Sequence, residues 1–61
     1  MTVKEVIAEL SKIKPQDARE QACAIVSGGE GIVQEVSWID TAEATLIFFY
    51  TDGRFEKEKE K

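Results

Sequence analysis

The run Ala44-Thr45-Leu46-Ile47-Phe48-Phe49-Tyr50 constrains this chain more than any other stretch. Its β-branched and aromatic residues, closed by Thr51-Asp52-Gly53, predict a strand. Successive side chains of a strand point to opposite faces, so Leu46, Phe48 and Tyr50 point one way and Ile47 and Phe49 the other. Both faces are therefore apolar. Such a strand is either central and covered on both sides, or it offers one apolar face to a partner.

The rest of the chain has little with which to cover it. Its 61 residues allow one domain, read as 1–55 with a charged tail at 56–61. A chain of this size buries only roughly 60% of its extended-chain surface and usually needs a disulfide, a metal or a partner. A single cysteine, Cys23, forms no internal disulfide, and the absence of histidine leaves that one thiol to hold zinc. No metal and no cofactor are expected, and self-association becomes the expected source of extra buried area. Cys23 itself, within Ala22-Cys23-Ala24-Ile25-Val26, is expected to be a buried, inert small hydrophobe. An unpaired thiol suits a reducing cytoplasm. The longest apolar run falls far short of the ~20 residues that span a membrane. Charges at Lys4, Glu5 and Glu9 argue against a signal peptide.

Charge is unevenly placed. The net charge is −4, and Glu20, Glu30, Glu35, Asp40, Glu43 and Asp52 lie in a stretch with no Lys or Arg. Such a block repels phosphate backbones and suits a basic protein surface, so direct nucleic-acid binding is not expected.

Along the chain, residues 2–13 predict a helix. Thr2 and Glu5 have capping-box spacing, Val3, Val6, Ile7, Leu10 and Ile13 form one apolar stripe, and Pro15 ends it. The stripe is expected to pack on the sheet. Residues 16–27 admit a helix stopped at Ser27-Gly28-Gly29, or a turn near Pro15–Arg19 followed by a strand at about 20–27. The second reading is preferred. Gly31 to Ile39 predicts another strand, with Ile32, Gln34, Val36 and Trp38 on one face and Val33, Glu35, Ser37 and Ile39 on the other. It joins the 44–50 strand as an antiparallel hairpin through Asp40-Thr41-Ala42-Glu43. Arg54 to Lys57 is a candidate edge strand with Phe55 turned inward. The expected fold is α+β, an N-terminal helix packed on a three- to four-stranded antiparallel β meander.

No catalytic constellation is visible. Without histidine the commonest general base is missing, and no carboxylate pair sits in an obviously apolar setting. Ser27-Gly28-Gly29-Glu30-Gly31 lacks the lysine and Ser/Thr of a phosphate loop and reads as turn glycines.

Thr2-Val3-Lys4-Glu5-Val6-Ile7-Ala8-Glu9-Leu10, followed by Pro15-Gln16-Asp17-Ala18, resembles the opening of small uncharacterised phage and prophage proteins. That resemblance implies a mobile-element setting and no particular activity. The stretch from Gly29-Glu30-Gly31-Ile32-Val33 to Phe48-Phe49-Tyr50-Thr51-Asp52-Gly53-Arg54 is similar to the rhythm of SH3-like, KOW or Tudor-type small barrels. This implies an accessory module of a transcription or translation complex. The leading expectation is a non-enzymatic protein-binding module, a phage-type inhibitor or regulator of a host factor of anti-CRISPR or DNA-mimic kind. Trp38, Phe49 and Tyr50 are the expected anchors, since large aromatics dominate binding hot spots, with Glu30, Glu35, Asp40 and Glu43 as an acidic rim. The expected partners are a protein with a basic surface and a second copy of the chain, the homodimer pairing either uncovered faces or edge strands.

Overall fold

A computed structural model describes residues 1–56. The tail expected at 56–61 therefore lies, apart from Glu56, outside the described residues. Four elements follow one another: helix α1 (Val3–Leu10) and strands β1 (Gln21–Ser27), β2 (Val33–Asp40) and β3 (Ala44–Thr51). The helix and sheet establish the expected α+β class.

Helix α1 begins as its capping box predicts. Thr2 Oγ1 accepts from the Glu5 N–H at 3.1 Å, and the Glu5 carboxylate accepts from the Thr2 N–H at 2.8 Å. It ends earlier than the apolar spacing suggests. Ser11 Oγ donates back to the Ile7 carbonyl, and Lys12 and Ile13 donate to carbonyls three residues behind, which tightens the last turn. The apolar stripe splits as a result. Val6, Leu10 and Ile13 are half-buried, whereas Val3 (77% exposed) and Ile7 face outward.

The sheet corrects the expected meander. Its order is β1-β3-β2: β3 lies in the middle, antiparallel to β2 and parallel to β1. The β2–β3 hairpin is the predicted one. The strand after the Pro15 turn is also present, but it pairs with β3, with Gln21 opposite Ala44, instead of with its sequence neighbour β2. The physical reason is that β3 carries large apolar residues, Leu46, Ile47, Phe48, Phe49 and Tyr50, in succession on both faces and so occupies the site with a strand on each side. Among the described residues there is no fourth strand. Arg54 and Phe55 form a turn, and Phe55 is exposed rather than turned inward.

One face carries Ala22, Ala24 and Val26 of β1, Thr45, Ile47 and Phe49 of β3, and Val36, Trp38 and Asp40 of β2. The other carries Cys23, Ile25, Leu46, Phe48, Tyr50, Glu35, Ser37 and Ile39. A bulge between Val33 and Glu35 shifts the register by one residue, so Val33 aligns with Thr51 on the Val36 side. The strict alternation expected for 31–39 had placed it with Ile39. Ile32 lies before the strand begins.

Helix α1 touches β2 and neither of the other strands. Burial assigns it to the Val36 face: Val36, 8% exposed, is the one buried apolar side chain of the described chain, and buried Thr45 lies on the same face. The Met1 amino group donates to the Val33 carbonyl and ties the helix start to β2. An eight-residue helix is about 12 Å long against about 26 Å for its neighbouring strands, so it covers a minor part of one face. Among the described residues no helix is long and apolar enough to cross a membrane.

Because β1 and β2 flank β3, residues 28–32 must pass over the end of β3. Gly28 has φ +103°, and a Cβ there would overlap the Thr51 carbonyl oxygen, while Gly53 (φ +72°) lies against the Gly28 carbonyl. The glycines of Ser27-Gly28-Gly29-Glu30-Gly31 are thus crossing residues.

Two consequences are measurable by urea unfolding. Val36→Ala is expected to cost about 2 kcal/mol, and Val3→Ala less than about 0.5 kcal/mol, because only the first leaves a cavity. Gly28→Ala is expected to cost about 1–3 kcal/mol through its backbone conformation, with further loss from overlap with Thr51.

Candidate functional site

The sequence-predicted anchors divide between the two faces. Trp38, opposite Ile47, and Phe49, opposite Val36, lie half-buried on the helix-bearing face. Tyr50 lies on the other face, 40% exposed, with Glu35 as its cross-strand partner. Neighbouring strand positions cannot share a face, so Phe49 and Tyr50 do not form one aromatic surface.

The four acids are likewise dispersed. Glu30 sits in the crossing loop, where its carbonyl accepts from the Phe55 N–H at 2.8 Å. Asp40 sits at the opposite end of the sheet, within reach of Gln16 Nε2 (3.4 Å) and of the Thr45 hydroxyl (3.2 Å). Glu43 belongs to the β2–β3 turn. Glu35 alone stands beside exposed apolar side chains of the sheet.

Two polar clusters organise the ends of β3. At its start, buried Thr45 places Oγ1 3.1 Å from Glu20 Oε2 and 3.2 Å from Asp40 Oδ1, so one hydroxyl proton serves two carboxylates. Glu20 also accepts from the Gln16 N–H at 3.1 Å, which pins the 16–20 turn to the sheet. An open cleft of about 490 Å³ lies between this turn and the β2–β3 turn, lined by Asp17, Arg19, Glu20 and Glu43 among others. Asp17 is engaged by Arg19 of its own loop, and Glu20 by Gln16 and Thr45. The Arg19 N–H, then the Arg19 side chain, hold the Asp17 carboxyl below its ordinary range.

At the other end of β3 the Asp52 carboxylate joins three segments. Oδ1 accepts from the N–H groups of Ile32 and Arg54, both at 3.0 Å, and Oδ2 from Arg54 Nε at 2.8 Å and from Gln34 Nε2 at 3.5 Å. The Asp52 N–H returns a bond to the Ile32 carbonyl at 3.1 Å. The Arg54 N–H lowers the Asp52 carboxyl most; desolvation opposes it, and the Ile32 N–H and the guanidinium add to the lowering. Among the described residues no cluster of His, Cys, Asp and Glu has the arrangement of a metal site.

What remains is the face without a helix. Leu46 and Phe48 form its half-buried floor, with Ile25 and Cys23 beside them on β1, Ile39 (55% exposed) at one end and Tyr50 at the other. Cys23 is exposed, not buried as expected, because β1 is an uncovered edge strand. Ile39, Ile25 and Cys23 were not named as docking residues from the sequence. The signal for Ile39 was its parity opposite to Trp38; no local signal announced that β1 would join this surface. No family model, curated protein or solved structure matches the chain.

The linkage at Asp52 gives a pH dependence. Its folded pKa is depressed, so its contribution to stability is present above the unfolded carboxylate pKa of about 4. It is lost as the pH falls through the lower, folded value. Asp52→Asn is therefore expected to lower the thermal midpoint at pH 7 and to flatten its decline on acidification, measured by circular dichroism melts across that range.

Proposed function

We propose that this chain is a non-enzymatic protein-binding module that docks through the helix-free sheet face. The observation that carries the reading is that this face leaves Ile39 and Tyr50 exposed at either end of a floor of Leu46 and Phe48, with Ile25 alongside. An apolar platform with a polar margin is the usual composition of an interface core and rim. Glu35, next to Tyr50, is the one expected rim acid on this platform, and the net charge of −4 favours approach to a basic protein surface. The anchors on this reading are Tyr50 and Ile39; Trp38 and Phe49 support the sheet from its other side. A phage-type inhibitor of a host factor is the form of this function suggested by the opening motif.

The test is affinity capture with three baits. The wild-type chain is expected to retain a specific protein that is lost with Ile39→Lys/Tyr50→Lys and kept with Ile7→Lys, which alters an exposed apolar residue of the helix instead. Equal retention by all three baits would reject the platform as the docking surface.

A further inference from the structure

β1 is the least supported strand of the described chain. All seven residues from Gln21 to Ser27 are exposed, its single strand neighbour is β3, and α1 does not touch it. Among the described residues no strand lies beside its outer edge, whose backbone N–H and C=O groups are the ones an added strand would satisfy.

The two edges of the sheet are not equivalent. β2 has a bulge between Val33 and Glu35, carries the carboxylates of Glu35 and Asp40, and has α1 packed against it. Bulges, charges and a covering helix are the features that keep edge strands from pairing. β1 has none of them. From Gln21 to Ser27 there is no charge, no proline and no register shift.

We propose that β1 pairs antiparallel with β1 of a second copy of this chain, about a two-fold axis at Ala24, to make one continuous six-stranded sheet. Charge and shape favour a second copy as the occupant. Each chain carries −4, so two copies repel wherever their acids meet, and β1 is a strand through which they approach without opposing charges. A basic partner would find no carboxylate in this strand to recognise. Centred on Ala24, the register sets Ala22 against Val26 on one face and Cys23 against Ile25 on the other, a small residue facing a large one each time. Gln21 meets Ser27 at both ends. The interface is isologous and closes after two copies. Both helices then lie on one face above the outer strands, and the helix-free platform is doubled in width without being covered. The pairing therefore does not depend on the docking reading above.

Cysteine cross-linking under mild oxidation tests the register. In Cys23→Ser/Ala24→Cys, the two cysteines lie directly opposite with Cα atoms about 4.5–5.5 Å apart, within the roughly 4.4–6.8 Å a disulfide spans. This variant is expected to form a covalent dimer. Wild-type Cys23 and Cys23→Ser/Ile25→Cys, whose symmetry mates are diagonal at about 7–8 Å, are expected not to. Sedimentation equilibrium should give a dimer for the wild-type chain and for Ile39→Lys/Tyr50→Lys. For Ala24→Lys, which sets two lysines face to face, the dissociation constant should rise on the order of tenfold or more. A monomer mass for the wild type at hundreds of micromolar would overturn the proposal. So would cross-linking at position 25 as efficient as at 24, or dimerisation abolished by Ile39→Lys/Tyr50→Lys with the sheet intact by circular dichroism. If Ala24→Lys fails to fold, the cysteine variants, which keep the strand uncharged, decide the matter.

Discussion

Every strand pairing in the described chain runs through β3. β1 and β2 are both bonded to it and not to each other, so the sheet exists only because one strand accepts a neighbour on each side. That central place follows from the apolar residues on both faces of Ala44–Thr51, which a solvated edge would leave exposed. It also fixes the path of the chain elsewhere. With β1 and β2 on opposite sides, the segment between them crosses the end of β3, and the crossing needs glycine where backbones meet and a carboxylate to collect the freed N–H groups. Gly28 and Asp52 fill those two roles.

Against that well-determined sheet, the second layer is thin. Among the described residues Val36 is the one apolar side chain that reaches full burial, and no side chain is sealed from solvent altogether. The helix is short and sits over β2, so Val26 on the same face is 59% exposed although it points the same way as Val36. Native stability is a small difference between large terms, and a core this small leaves the fold unusually dependent on backbone pairing and on the two polar clusters that clamp the ends of β3.

Local chemistry was legible in the sequence, and long-range pairing was not. The Thr2–Glu5 capping box, the turn at Pro15, the β2–β3 hairpin and the alternation within β3 all rest on contacts between residues close in the chain. The parallel partnership of β1 with β3 is a contact across 23 positions, and no local pattern in Ala22–Val26 distinguishes it from pairing with β2. The bulge at Gln34 also escaped, since an inserted residue leaves the composition of a strand unchanged while moving Val33 to the opposite face. The candidate site shows a different failure. Parity already placed Phe49 and Tyr50 on opposite faces, so naming both as anchors of one surface set hot-spot composition above geometry. Ile39, less conspicuous than Trp38, is the more exposed of the two in the folded chain.

The order β1-β3-β2 also has a meaning in time. A chain made from its N-terminus completes β1 well before β3, yet β1 has no partner in the sheet until the residues from Ala44 to Tyr50 have been added. The β2–β3 hairpin closes a loop of a few residues and can assemble first, whereas β1 must wait for a long-range pairing that carries a larger loop-closure entropy. During that wait the uncharged Gln21–Ser27 segment is without its only neighbour. Among the described strands the last to be synthesised is thus the one that shelters the first, and the interval between them is when the sheet is most open to mispairing.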